Sequence, residues 1–239
     1  MQNLVPPNTT PGFQTFSLAH QPLLDWRSGT FPFTFSAWRE DRLDLASQAT
    51  HFGFVFEDAC TLRTNNGDFP LHPKMYFSLP GEGYIEGGRG IVISRWDCHG
   101  FFHLGGPIES RGRLQYIDGC SDSLLIPPTL KGEPCLNLLH IPAGVDQTPH
   151  THPSERVGLV VSGGGVCRAD HQETALTPGM AWVIHANHLH SFHTQDSDLT
   201  IIAFHPDSDF GPSDQNHPML NRTLINGVSA SRSLGGSSP

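Results

Sequence analysis

The chain has 239 residues, of which 15% are charged, with 25 Gly, 20 Pro and a formal net charge of −9. A chain of that length can bury one large core or two small ones, and so little charge among so many turn formers suits short strands better than long helices. The acidic balance, without any Lys/Arg-rich run, argues against a nucleic-acid partner.

The opening "MQNLVPPNTTPGF" has neither a basic start nor an apolar core, so it is not read as a secretory signal. No apolar run approaches the roughly 20 residues needed to cross a bilayer. The expectation is a cytoplasmic protein with no membrane partner. Five cysteines (Cys60, Cys98, Cys120, Cys135, Cys167) are scattered without a CxxC pair and are expected as free, buried thiols.

In chain order, "WREDRLDLASQ" (38–48) is the one stretch patterned for a short helix. Strand-like runs follow at 51–56, 75–80, 90–96, 100–106, 113–118 and 123–128. Beyond them come 135–142, 157–163, 180–185, 189–194 and 199–206. Gly, Pro and Asn/Asp clusters punctuate these runs at short spacing, which predicts an all-β antiparallel sandwich or barrel. The segments "PPNTTPG" and "SASRSLGGSSP" have the composition of poorly ordered tails.

The halves of the chain repeat one another. At an ungapped offset of 105 residues, "HFGFVFEDACTL" (51–62) lies on "RVGLVVSGGGVC" (156–167), and "LHPKMYFSLPGEGYI" (71–85) lies on "LTPGMAWVIHANHLH" (176–190). Gly53 then meets Gly158, Leu71 meets Leu176, Pro73 meets Pro178 and Met75 meets Met180. Duplication predicts two domains joined near the Pro/Gly-rich 126–134: residues 1–128, residues 129–225, and a flexible tail over 226–239. The same offset sets His150, His152 and His190 against Leu45, Ser47 and Ile85, so the first copy lacks all three histidines.

Those histidines are the compositional outlier, since 15 occur and most fall between His140 and His217. In a strand, residues i and i+2 share a face, so His150 and His152 can both point inward. Imidazole suits Fe, Mn, Ni, Zn or Cu, and two inward imidazoles need further ligands from another strand. His190, after the turn at "HAN" (185–187), is the best third ligand. The alternative is a set of interior histidines bonded to each other and to water.

"GVDQTPHTHPSERVGLVVSG" (144–163) resembles the first signature of the cupin superfamily, and "LTPGMAWVIHANHLHSF" (176–192) resembles the second. The resemblance covers about 50 residues of the second half and extends more weakly, through the repeat, to 45–90. It implies two tandem cupin-type antiparallel β-barrels (a double-stranded β-helix, or jelly-roll) with little helix, the first barrel having lost its site. Many cupins carry Glu four residues after the second His, whereas this chain has Arg156 there. Glu155 reaches the site as a fourth ligand only if a β-bulge turns it inward. The favoured set is therefore three His, similar to the gentisate and thiol dioxygenase families. Such a set leaves three positions open on an octahedral iron, enough for a bidentate substrate and dioxygen.

Arg156 beside a cation is unfavourable unless an anionic substrate lies between them, so it is the candidate substrate anchor; the alternative is an arginine that leans outward to an acidic neighbour. His140 is expected to face the barrel with Leu138 and is the candidate general base. His185 is a candidate supporting residue, His188 sits in a turn, His193 is expected on the surface, and His205 and His217 belong to a C-terminal segment. Trp182, Phe192, Val160 and Leu138 are expected as apolar lining or core.

Three functions follow from these features. The first is an Fe(II)-dependent oxygenase or dioxygenase, an oxidoreductase acting on a small anionic molecule. The second is a metal-dependent isomerase, epimerase or lyase that uses Mn, Ni, Zn or Cu as readily. The third is a non-catalytic binding protein. A homodimer is the partner arrangement left open by these features.

Overall fold

The computed structural model describes residues 12–19, 21–128, 130 and 132–207, together with the backbone of 224–225 and 228–229. Most of the two segments with tail-like composition, and His217, lie outside the described residues. Leu224–Ile225 and Val228–Ser229 pair with each other.

The described residues form strands and turns, with no α-helix. In the first half the strands are β1 (Phe13–Ser17), β2 (Gln21–Asp25), β3 (Phe33–Arg39), β4 (Leu43–Leu45), β5 (Ala49–Thr64), β6 (Gly67–Leu71), β7 (Tyr76–Pro80), β8 (Gly83–Trp96) and β9 (His103–Gly105). After them come β10 (Leu114–Gln115), β11 (Ser121–Ile126), β12 (Cys135–Ile141), β13 (Arg156–Gly163), β14 (Gly165–Ala169), β15 (Gln172–Leu176), β16 (Met180–Ile184), β17 (His190–His193) and β18 (Leu199–His205). All pairings are antiparallel. One sheet runs β2-β3-β8-β5-β7-β9, a second runs β1-β16-β13-β18-β12-β11-β10, and a third runs β15-β14-β17. Pairing thus crosses residues 128–129, since β1, β10 and β11 extend the sheet built by β12, β13, β16 and β18.

The helix expected over 38–48 is not formed. Trp38 and Arg39 end β3, Glu40 turns the chain at φ 60°, and Leu43–Leu45 pairs with β8. Trp38 is fully buried and donates its indole N–H to Gly87 O at 3.0 Å. Packing in a sheet outweighs a helical pattern that covers barely three turns.

The repeat keeps its 105-residue register across β5–β7 and β13–β16. Gly53 faces Phe77 across β5–β7, and Gly158 faces Trp182 across β13–β16. A side chain at Gly53 would strike the Phe77 ring at 2.0 Å, and one at Gly158 would strike Ile202 O at 1.8 Å and the Trp182 ring at 2.6 Å. Both copies therefore need glycine because an aromatic ring lies over the opposite strand.

Three cores follow. Phe33, Phe35, Phe52, Phe54, Ile91 and Ile93 of the first half pack on Leu136, Leu138, Val157, Leu159, Val183 and Ile202 of the second, cementing the two large sheets together. Trp38, Leu45, Val55, Leu62, Phe77 and Ile85 fill the first repeat. Val160, Trp182, Phe192, Ile141 and Ile201 fill the second. At about 1.5–3 kcal/mol for each fully buried large side chain, each cluster is a substantial driving force.

Candidate metal centre

His150, His152 and His190 come together, with one imidazole nitrogen from each lying within 4.8 Å of the other two. The backbone fixes this. His150 N–H donates to His190 O and His190 N–H donates to His150 O, each at 3.0 Å, so the segment before β13 lies against the start of β17. Ring centroids are 4.5 Å apart for His150–His190, 5.0 Å for His150–His152 and 5.2 Å for His152–His190.

The ring nitrogens are sorted by carbonyls. His150 Nδ1–H donates to Thr148 O and His190 Nδ1–H donates to His188 O, both at 3.0 Å. Each Nε2 is then left as a lone-pair donor, which is the tautomer a metal ligand needs. Burial pushes the His190 imidazolium down to about 3, and the neighbouring His150, His152 and Arg156 push the same way, so the ring is neutral at neutral pH. Nitrogens on one first-row metal sit about 2.1 Å from it, so closing on an ion takes side-chain shifts of order 1 Å. The donor set fits a borderline divalent cation with sites left open.

The cluster opens on a cavity of about 30 Å³ inside the second repeat. Leu139, Trp182, Ile184 and Phe192 supply apolar wall, while Tyr116, Asp122, Gln147, Arg156 and His205 supply polar groups. Arg156 is 2% exposed; its Nη1 donates to Ser154 Oγ at 2.5 Å, to Glu155 O at 3.0 Å and to Asp207 Oδ1 at 3.3 Å. It lies beside the histidines as expected, already paired with an acidic residue.

Glu155 is not part of the three-histidine group. It precedes β13, and its charge acts on His185, whose imidazolium burial holds low. His185 bonds Gln14 Nε2 at 2.9 Å, and its ring lies 5.3 Å from that of Trp26 at a tilt of 44°. His140 does not line the cavity. Leu139 and Ile141 face inward, whereas Leu138 joins the core between sheets and His140 Nε2 meets Asp198 Oδ2 at 3.1 Å. Leu138, expected as apolar lining or core, is core between the halves. His188 lies after the turn and faces Asp170 at 3.5 Å.

His193 lies on the face of β17 opposite His190, but is only 7% exposed rather than on the surface. Its Nδ1 meets Asp146 Oδ1 at 2.5 Å and its Nε2 accepts from Ser191 Oγ at 2.7 Å. Gln147 adds two bonds to Phe192, from its N–H to the carbonyl at 3.3 Å and to its N–H through Oε1 at 2.9 Å. These contacts clamp the segment that carries His150 onto the strand that carries His190. A larger cavity of about 540 Å³ lies on this outer side, where Arg168 pairs with Asp146 and Glu173.

Four cavity residues escaped the sequence pattern. His205 was placed in a trailing segment, yet it ends β18 with its ring 6.2 Å from His152. Its position at the end of an apolar run, "LTIIAFH", was the available signal. Tyr116, Asp122 and Gln147 carried none, because loop and strand pairing bring them in. The repeat alignment also needs a correction. Thr64 pairs with Gly83 and Ala169 pairs with His190, so His190 corresponds to Gly83 rather than Ile85. The second copy has two extra residues in the turn before β17.

Residues 137–205 match the family model described as Cupin domain. No curated protein matches the chain. Among solved structures, the salicylate 1,2-dioxygenase from Pseudaminobacter salicylatoxidans is similar at TM-score 0.60 and 12% identity, covering 85% of this chain and 87% of that one. A variant of it in complex with gentisate gives TM-score 0.55 and 12% identity over 72% and 67%. A cupin 2 conserved barrel domain protein from Leptotrichia buccalis gives 0.56 and 13% over 80% and 88%. Bacillus subtilis oxalate decarboxylase, studied for its Mn(II) centres, gives 0.53 and 10% over 89% and 82%. At these identities the likeness is one of fold.

Proposed function

From the cupin-domain match over residues 137–205 and the fold shared with the solved structures above, we propose that the chain is a cupin-superfamily protein and a mononuclear metal-dependent enzyme, an Fe(II) three-histidine oxygenase acting on a small anionic substrate. The observation that carries this reading is the set of three imidazole nitrogens within 4.8 Å of one another. In this reading residues 1–128 and 129–225 are two cupin domains, and only the second holds metal.

His150, His152 and His190 would hold the ion. Bound there, Fe(II) supplies Lewis acidity and one-electron chemistry toward dioxygen. Arg156 presents its charge to a substrate carboxylate and fixes its orientation. Trp182, Ile184 and Phe192 exclude water from the reacting atoms. The salicylate dioxygenase that holds gentisate supports the choice of an anionic substrate by analogy of fold.

Metal analysis of tag-free protein after anaerobic Fe(II) loading tests the reading, with near-stoichiometric iron expected. Oxygen uptake on a panel of small acids and thiols follows. Metal at trace level only would sink it. A second reading, non-oxidative metal chemistry in which an imidazole takes the proton, draws support from His205 at the cavity. Turnover without oxygen uptake is its signature.

A further inference from the structure

The outer face of β17, where the cavity of about 540 Å³ opens, carries a second chemical grouping. Ser191 and His193 share that face at an i, i+2 spacing, and Asp146 reaches it from the segment bridged to His193. A carboxylate only accepts, so Asp146 Oδ1, 2.5 Å from His193 Nδ1, fixes the ring proton on that nitrogen. Nε2 then holds the lone pair, and Ser191 Oγ–H donates to it at 2.7 Å. Among the described residues Ser191 Oγ accepts no hydrogen bond, so its lone pairs are left for an electrophile in the cavity that it lines.

The fold itself does not require this chain of groups. Arg168 stands opposite Ser191 in β14–β17, and Arg63, its counterpart at the 105-residue offset, stands opposite Tyr84 in β5–β8. Arg63 pairs with Asp68 and with Glu86, whose strand position in the second repeat is taken by His193. Ion pairs close that face in one copy, and a serine, an imidazole and a carboxylate are aligned on it in the other. Directly opposite residues of an antiparallel pair project on the same face, so the Arg168 guanidinium stands beside Ser191, where negative charge develops on an attacked carbonyl oxygen. Pro149, Ala169 and Leu189 give the same cavity an apolar wall for a short acyl chain.

We propose that Ser191, His193 and Asp146 form a nucleophilic site for short-chain carboxylic esters, separate from the three-histidine cluster and independent of its metal. Ser191 Oγ bonds to the ester carbonyl carbon as its proton passes to His193 Nε2. The bond from that carbon to the alkoxy oxygen breaks, and the leaving group takes the proton and departs as the alcohol. Water then hydrolyses the acyl-serine by the same route, which releases the acid and restores Ser191. Asp146 is the positioning residue, holding the imidazole in the tautomer that accepts from Oγ.

The test treats the full chain, with and without added chelator, with an alkyl fluorophosphonate, from which Oγ displaces fluoride, and maps the adduct by peptide mass spectrometry. About one equivalent on Ser191 is expected in both conditions. Hydrolysis of p-nitrophenyl acetate should be at least roughly 10-fold slower in Ser191→Ala, and His193→Gln should slow labelling about 100-fold or more. Asp146→Asn should slow labelling roughly 10-fold or more, with Asp146→Glu recovering part of the loss, a rescue that a packing role would not give. If Ser191→Ala does not fold, the wild-type adduct decides alone. No adduct, an adduct on another residue, labelling lost with chelator, unchanged labelling in the His193 and Asp146 variants, or equal ester hydrolysis in Ser191→Ala overturns the proposal. None of these outcomes touches the metal reading.

Discussion

His150 and His190 exchange a pair of backbone hydrogen bonds at 3.0 Å, and their imidazoles stand 4.5 Å apart as a consequence. In the first repeat the same bridge joins Leu45 to Gly83. Leu45 is buried in the apolar core there, and a side chain on Gly83 would lie 2.7 Å from Arg63 O. One scaffold thus presents a donor cluster in one repeat and a hydrocarbon contact in the other.

Replacing either member of the histidine bridge should remove the metal. His150→Ala or His190→Ala should raise the metal Kd by more than the roughly 10–100-fold that loss of a supporting group costs. Competition with a chromogenic chelator measures it, and unchanged affinity would show that the ligands lie elsewhere.

The clamp behind the bridge should matter less, and in a graded way. Asp146→Asn removes the charged partner of His193 without touching an imidazole of the cluster. We expect metal affinity to fall about 10-fold, at the low end of the range for supporting groups. A loss as large as that of His150→Ala would make Asp146 a ligand instead.

Restoring histidines to the first repeat should destabilise it. Leu45→His exchanges a side chain 5% exposed in an apolar core for a polar ring without a partner. The expected cost is about 3 kcal/mol, from lost burial plus an unsatisfied polar group. Urea unfolding reads it, and a change under about 0.5 kcal/mol would mean that the position tolerates water.

Acid should weaken the metal-free protein through its buried rings. Burial lowers the imidazolium of His51, and that of His190 to about 3. An unfolded histidine takes its proton near pH 6.5. Below that pH the unfolded chain gains a proton that the folded ring refuses, so stability is full above pH 6.5 and falls toward pH 3. For His190 the slope approaches about 1.4 kcal/mol per pH unit between those limits, and His51 adds in the same direction. Urea midpoints of chelator-treated protein at pH 7.5, 6 and 5 should decline, and more gently in His190→Gln. Equal slopes in the two proteins would show that His190 is not buried as the neutral ring.

Thiol labelling should separate one cysteine from four. Burial pushes Cys60 and Cys167 up to about 12 and Cys120 up to about 11, and Cys135 is buried too. Cys98 is half-buried and alone within reach of solvent. A disulfide reagent should modify Cys98 slowly in native protein and the other four only on unfolding; rapid native labelling of Cys167 would contradict the packing of the second core.

The amino-acid sequence by itself determined the all-β class, the 105-residue register that relates β5–β7 to β13–β16, and the three histidines that come together, because strand alternation and glycine placement are local and repeat in both halves. It also marked Arg156 as a charge beside the cluster. It misplaced the helix at 38–48, where the pattern was short and sheet pairing prevailed, and it aligned His190 two residues away from its true counterpart, Gly83. Tertiary structure alone decided that His140 turns from the cavity while Asp122, Tyr116 and His205 enter it. Which face of a strand is inside depends on what packs against each side, and β12 is covered on both: Leu138 by the other half's sheet, Leu139 by the core of its own. No periodicity within a strand buried on both faces can reveal that choice.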